Sequence, residues 1–422
     1  MVIYNVKEGD TLYKIAERMG TDIERIVIDN GLNDPDKLVV GQTLIIRSPL
    51  TLHTVIEGEN IYSVAEKYGV TTNQIWQNNI DIGGNTALEI GKRIVINDAP
   101  KQYSRKIATS AYVYSSVNRK LLMATLPYLT YLTVYSYGVE DDGYLGELDD
   151  EEIISLARRY GVLPIMHIAN IDHNGDYSPE LAKNIISDRG RQDLLIGEII
   201  KNVTDKRYSG ALIDFEYVPR EYSEDYARLL SRLDEKLGSG GHKVWSSLPS
   251  KNDDMEEGEL LGGYDYKKLG DASDKAILQT YGWGHMYSAA GAIAPFDKIY
   301  SVCEYAKENI EGEKLFLGVP NYGYDWSEGS DTAPLGNVAA IHLAAKRMVS
   351  INYDVAAASP YFEYYDDKKR LHKVYFEDAR SVSSALSLVD EMGLYGISVW
   401  NAMKPNPAMW MLINGSYDIE KL

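Results

Sequence analysis

Cysteine is almost missing from this chain. Cys303 is the single thiol, so no internal disulfide framework can form. A lone Cys reads first as a small buried apolar residue. Histidine is scarce too, at seven residues, and no zinc-type ligand cluster is visible. Neither a metal nor another cofactor is expected. Positive charge is in short supply: Lys+Arg 43 against Asp+Glu 62 leaves a net charge of -19. That balance argues against nucleic acid or an anionic membrane as the main partner. No apolar run approaches the ~20 residues that span a bilayer. No basic-then-apolar segment opens the chain, because Met1–Val6 runs straight into a folded-looking module. Export by a classical signal peptide is therefore not expected.

What is present is ordinary for a soluble globular protein: 422 residues, 45% hydrophobic and 25% charged. The length suits one large domain with smaller ones.

The first hundred residues repeat themselves. Val6-Lys-Glu-Gly-Asp-Thr-Leu-Tyr-Lys-Ile-Ala16 is echoed by Val55-Ile-Glu-Gly-Glu-Asn-Ile-Tyr-Ser-Val-Ala65. Ile26–Asn30 answers Ile75–Asn79, and Val40–Ile46 answers Ile90–Ile96. Each copy reads as strand, turn, helix, helix, strand, with Asp10 or Glu59 where a helix N-terminus favours negative charge. The predicted modules are 1–49 and 50–98, followed by a polar linker over 99–105.

From 106 to 422, apolar strand-like runs alternate with amphipathic helical stretches. Eight strands are predicted: Ile107–Tyr114, Tyr131–Tyr137, Val162–Ile168, Gly210–Tyr217, Lys243–Leu248, Ala276–Tyr281, Lys314–Val319 and Gly396–Trp400. One helix shows its signals clearly, with Asp149 as a cap, Glu151 and Glu152 in the first turn, and Arg158 and Arg159 in the last. Strands alternating with helices imply a parallel sheet. Eight units suit a closed (β/α)8 barrel, an α/β fold, with a doubly wound open sheet as the alternative. Residues 326–378 read as a small α+β insertion before the last strand.

One strand carries the chemistry. In Gly210–Val218, Asp214 and Glu216 share a face amid Ala, Leu, Ile and Phe. Adjacent carboxylates resist ionising together, so one holds a proton near neutral pH. Barrel sites lie at the C-terminal ends of strands. The residues predicted there are Tyr137, Asn170, Asp214, Glu216, Gln279, Tyr281, Trp283, Asn321, Tyr322 and Trp400. They are aromatic and amide-bearing, with no Lys or Arg. That suits the apolar faces and hydroxyl rims of sugars rather than phosphate.

Two resemblances follow from these residues. The repeats resemble LysM modules, a βααβ fold that binds glycans containing N-acetylglucosamine. The barrel resembles family-18 glycoside hydrolases, most of all the spore cortex-lytic N-acetylglucosaminidases. Its markers are Ile213–Val218, Gln279–Trp283, Leu317–Tyr324, Tyr375–Arg380 and Gly396–Trp400. The resemblance implies Glu216 as general acid, Asp214 as the residue orienting the substrate acetamido group, and Tyr281 steadying the acetamido oxygen. Trp400 would floor the sugar; the strand-end residues Tyr137, Asn170, Gln279, Trp283, Asn321 and Tyr322 are expected as substrate contacts from their placement alone.

Two positions depart from the family pattern. Leu212 stands where the motif has an acid, and Gly282 stands where an acid follows the tyrosine. Leu212 cannot hydrogen-bond Asp214, so reduced activity or a displaced pH optimum is expected. The expected function is a retaining, substrate-assisted glycosidase acting on peptidoglycan, as a monomer, at the spore coat, cortex or cell wall. A glycan-binding coat protein without catalysis, or a chitinase, are the alternatives.

Overall fold

The computed structural model describes residues 1–98, 100, 101, 103, 105–253, 261–327 and 332–422. Linker positions 99, 102 and 104, and positions 328–331 of the predicted insertion, lie outside the described residues.

Eight parallel strands close into a barrel. Numbered along it, they are β1 Lys106–Tyr114, β2 Tyr131–Gly138, β3 Leu163–Ala169, β4 Gly210–Asp214, β5 Lys243–Pro249, β6 Lys275–Gln279, β7 Leu315–Pro320 and β8 Gly396–Trp400. Each pairs with the next, and β8 returns to β1 with Gly396 opposite Ala108. The closure excludes the open sheet. A short strand, Asp418–Ile419, adds to the start of β1.

The barrel strands are buried along nearly their whole length because helices cover the outside. Inside, Tyr112, Tyr131, Ile165, Leu212, Trp245, Ile277 and Phe316 fill the lumen. Trp245 packs edge-on to Tyr131 at 4.7 Å and stacks on Phe316 at 4.9 Å. Burying each such side chain contributes roughly 1.5–3 kcal/mol.

The helix Glu151–Arg159 has its acidic first turn, its basic last turn and a buried stripe of Ile153, Ile154, Leu156 and Ala157. Its cap differs from expectation. Asp150, not Asp149, holds the N-cap position and makes no capping bond there. Its carboxylate instead accepts from Tyr137, Tyr208 and Lys206.

Each N-terminal module has an antiparallel strand pair, Val2–Asn5 with Thr43–Ile46 and Thr51–Thr54 with Arg93–Asn97. Each also has its own small apolar core. Both modules are docked on the barrel. Gln77 Nε2 donates to Pro127 O at 2.9 Å, and Tyr128 Oη returns a bond to Gln77 O at 2.8 Å. Trp76 packs on Tyr160, ring centres 5.1 Å apart. Ile351 N donates to Val40 O at 2.8 Å. A Cβ at Gly41 would sit 1.8 Å from Ile351 O, so only glycine allows this contact.

Between the modules lies a buried ion-pair network. Arg47 bridges Asp29 at 2.8 Å and Asp98 at 2.7 Å, and donates to Asn78 O at 2.9 Å. Arg25 reaches Asp29 at 3.0 Å. Burial alone would push the Arg47 guanidinium toward losing its proton, but Asp29 and Asp98 outweigh it and hold it charged.

After β7, a five-stranded antiparallel sheet runs from Gly323 to Tyr375, with the helix Asn337–Arg347 laid against it. Its core contains Phe362, Val374 and Phe376. Among the described residues no helix is long and apolar enough to cross a membrane.

Candidate active site

The strand β4 ends at Asp214, and the chain then turns so that Glu216 joins it at the top of the barrel. Tyr217 takes a left-handed backbone, φ 60°, to make that turn. Two neighbours hold the turn in place. Asn170 Oδ1 accepts from Glu216 N at 2.7 Å, and its Nδ2 donates to Glu216 O at 2.9 Å. Tyr264 donates its hydroxyl to Phe215 O.

The two carboxylates have different surroundings. Asp214 is buried and accepts three hydrogen bonds. Oδ2 receives His167 Nε2 at 3.0 Å and Tyr177 Oη at 2.9 Å, and Oδ1 receives Gln279 Nε2 at 3.2 Å. Both oxygens of this carboxyl therefore act as acceptors. Glu216 is half-buried. Burial pushes its carboxyl up, repulsion from Asp214 adds to this, and a Gln279 hydrogen bond opposes it; the result is about 8. Asp214 thus stays the acceptor while Glu216 keeps its proton at neutral pH.

Above them opens a cavity of about 450 Å³ with aromatic walls. Trp400 lies across it, with Tyr281 roughly parallel at 6.4 Å and Tyr112 and Tyr135 edge-on at 4.9 and 5.3 Å. Trp283, Tyr322, Tyr177 and Gln279 complete the wall, and no Lys or Arg is among the described lining residues. Flat aromatic faces beside carboxylates and an amide match sugar rings with polar rims. Burial raises the Tyr281 phenol well above its usual value, so it keeps its proton.

Seven of the predicted residues therefore meet in one cleft: Asp214, Glu216, Gln279, Tyr281, Trp283, Tyr322 and Trp400. Three do not line it. Tyr137 is buried outside the lumen against Asp150 and Lys206. A register shift between Val134 and Tyr137 breaks the alternation, leaving Tyr135 in the cleft and turning Tyr137 away. Asn170 is fully buried and spends its amide on the Glu216 backbone and on Ser178 O. Asn321 is buried likewise, donating to Asn401 O and Lys404 O. Both are clamps on backbone rather than substrate contacts.

The departures at Leu212 and Gly282 have structural counterparts. Leu212 packs in the lumen, and its lack of a polar group is made good by His167, Tyr177 and Gln279. Asp214 is not left bare, as the sequence suggested. Gly282 has φ 90°, a conformation side chains resist, and its N–H donates to Ile293 O at 2.9 Å. Sequence reasoning missed His167, Tyr177, Tyr112 and Tyr135. The one available signal was His167 itself, a lone polar residue inside the apolar run Leu163–Ala169.

The family model for glycosyl hydrolases family 18 matches residues 108–404. That for the LysM domain matches residues 4–47 and 53–97. The cortical fragment-lytic enzyme of Bacillus anthracis is 33% identical, covering 99% of each chain. The enzyme of the same name from Bacillus subtilis is 31% identical over 100% of this chain and 99% of its own. The crystal structure of the spore cortex-lytic enzyme SleL of Bacillus megaterium superposes with TM-score 0.84 at 31% identity, covering 100% of this chain and 99% of that one. With the barrel, the paired carboxylates and these matches together, the chain belongs to family 18 of the glycosyl hydrolases, and it is a glycosidase that carries two N-terminal LysM domains.

Proposed function

We propose that this enzyme cleaves the β-1,4 bond at N-acetylglucosamine in peptidoglycan, with spore cortex as the substrate, by a retaining, substrate-assisted route. The observation that carries the reading is the split within the carboxylate pair. Asp214 is surrounded by donors, and Glu216 is held protonated beside it. The full-length similarity to cortical fragment-lytic enzymes supports the choice of substrate.

Glu216 gives its proton to the leaving glycosidic oxygen as the C1–O bond breaks. The acetamido oxygen of the same sugar attacks C1, so the substrate supplies the nucleophile. Asp214 accepts the acetamido N–H and steadies the cyclic cation, while the Tyr281 hydroxyl donates to the acetamido oxygen. Glu216, now ionised, takes a proton from water, which opens the ring from the opposite face. Two inversions at C1 return the starting configuration. The modules hold the enzyme on glycan and place it at the spore cortex or cell wall.

The test is product analysis of purified cortical peptidoglycan, wild type beside Glu216→Gln. New reducing ends at N-acetylglucosamine, formed first as the β-anomer and only by wild type, are expected. Products from chitin but none from cortex would move the reading to a chitinase. No products from either, with binding intact, would leave a wall-binding protein.

A further inference from the structure

We infer that His167 is the positioning residue for Asp214, standing in from the neighbouring strand for the acid that is absent at Leu212. The inference rests on the reaction proposed above. Its first support is register. In the β3–β4 pair, His167 lies opposite Leu212 and Ala169 opposite Asp214. Parallel neighbours in register point to the same face. The imidazole therefore enters the lumen beside the Leu212 side chain, one layer below Asp214, and its Nε2 reaches up to the carboxylate.

The second support is hydrogen-bond accounting. His167 is fully buried, amid an aromatic layer where an unsatisfied polar group is costly. Both ring nitrogens are used: Nδ1 lies 2.9 Å from Ser136 Oγ and Nε2 lies 3.0 Å from Asp214 Oδ2. A carboxylate only accepts, so Nε2 carries the proton, and Nδ1 pairs with the Ser136 hydroxyl. The third support is rigidity. Tyr135 packs at 4.7 Å and 34° to the ring, and Tyr112 closes it edge-on at 5.6 Å. Tyr177, the other donor to Oδ2, sits on the loop after β3, whereas His167 is fixed within a central strand.

The consequence is directional. A fixed N–H aimed at Asp214 Oδ2 holds that carboxylate in one orientation, as an acceptor beside Glu216. The titratable groups facing the imidazole are Asp214 from β4, Tyr112 from β1, Tyr135 from β2 and Tyr177 from the loop; Glu216 lies beside Asp214. Without the His167 donor, Asp214 loses one of its three hydrogen bonds, and the pH profile of turnover moves with it.

Steady-state kinetics of H167L, H167Q and H167L/L212N on soluble cortical fragments test this, with circular dichroism confirming folding. H167L is expected to lower kcat roughly 10- to 100-fold, the size of one hydrogen bond to a charged group. KM should change little, and the acid limb of kcat/KM should move to higher pH. H167Q keeps an amide donor and should stay within about tenfold of wild type. The double variant, which returns a polar group to position 212, should recover part of the loss. A folded H167L with wild-type kcat and pH profile would overturn the inference. So would equal impairment of H167L and H167Q with an unmoved acid limb. If H167L does not fold, H167N, too short to reach Asp214, takes its place against H167Q with the same two outcomes. Imidazole ¹⁵N NMR reads the arrangement independently of turnover: a protonated Nε2 is expected, and a bare Nε2 would overturn it. A wild type that cuts nothing, with Nε2 protonated, would instead count against the proposed reaction alone.

Discussion

Two clusters of buried charge in this molecule are treated in opposite ways. Between the N-terminal modules, Asp29 and Asp98 meet Arg47 directly, and Arg25 adds a second cation. In the cleft, Asp214 and Glu216 lie side by side, and no Lys or Arg is among the described lining residues. Paired charge is quiet: it resists titration and holds parts together. Charge left without a cation relieves its repulsion by keeping a proton, and a retained proton near neutral pH is what an acid catalyst needs. The contrast separates adhesive carboxylates from reactive ones by their partners rather than by their depth.

The largest effect that would break this contrast is in the cleft. Glu216→Gln should remove at least 10²- to 10⁴-fold of turnover, the usual share of a general acid, while glycan adsorption remains. It should also stabilise the fold above neutral pH. A carboxyl raised to about 8 in the folded state binds more protons there than when unfolded. Its contribution is complete below about 4.5 and is lost as pH rises through about 8. Thermal unfolding should thus show the variant and wild type alike at pH 4 and the variant ahead at pH 9. A variant less stable than wild type at pH 9 would refute the assignment.

Arg47→Ala asks the same question of the adhesive pair. It leaves the buried Asp29 and the partly buried Asp98 without their main cation, costing roughly 3–5 kcal/mol. A lower urea midpoint is expected, with cleavage of soluble fragments unchanged at low temperature. The pH dependence of wild type comes next: kcat/KM should fall about tenfold per unit above about 8 as Glu216 ionises. A flat profile to pH 10 would remove Glu216 from the acid role. The smallest effect belongs to a pair whose cation is exposed. Arg18, half-exposed, reaches Asp10 at 3.4 Å, and Arg18→Ala should change unfolding free energy by less than about 1 kcal/mol. A larger loss would mean that exposure does not separate the two kinds of pair.

Much of the architecture was legible because barrel strands carry a strong local signal. All eight apolar runs became strands, since being covered on both faces makes them near-continuously hydrophobic. Asp214 and Glu216 were legible for the opposite reason, as acids where nothing else is polar. Tyr137, Asn170 and Asn321 were misread because the end of a strand has two sides. Their direction was set by a register shift in one case and by backbone clamping in the others. His167 stayed hidden because its role depends on which residue lies beside it on the next strand. Cross-strand register is not written locally in either strand.

The docking of both modules on the barrel removes slack from the molecule. An enzyme on a loose leash can cut any strand within its radius, in any direction. Here hydrogen bonds and ring packing tie the modules to the barrel, so under the proposed reaction a glycan strand held by a module would reach the cleft from a set direction. Cutting would then have a stride, which the length distribution of early products from intact cortex measures. Lengths clustered around a preferred value would show the stride, and a random distribution would show that grip and cut are uncoupled.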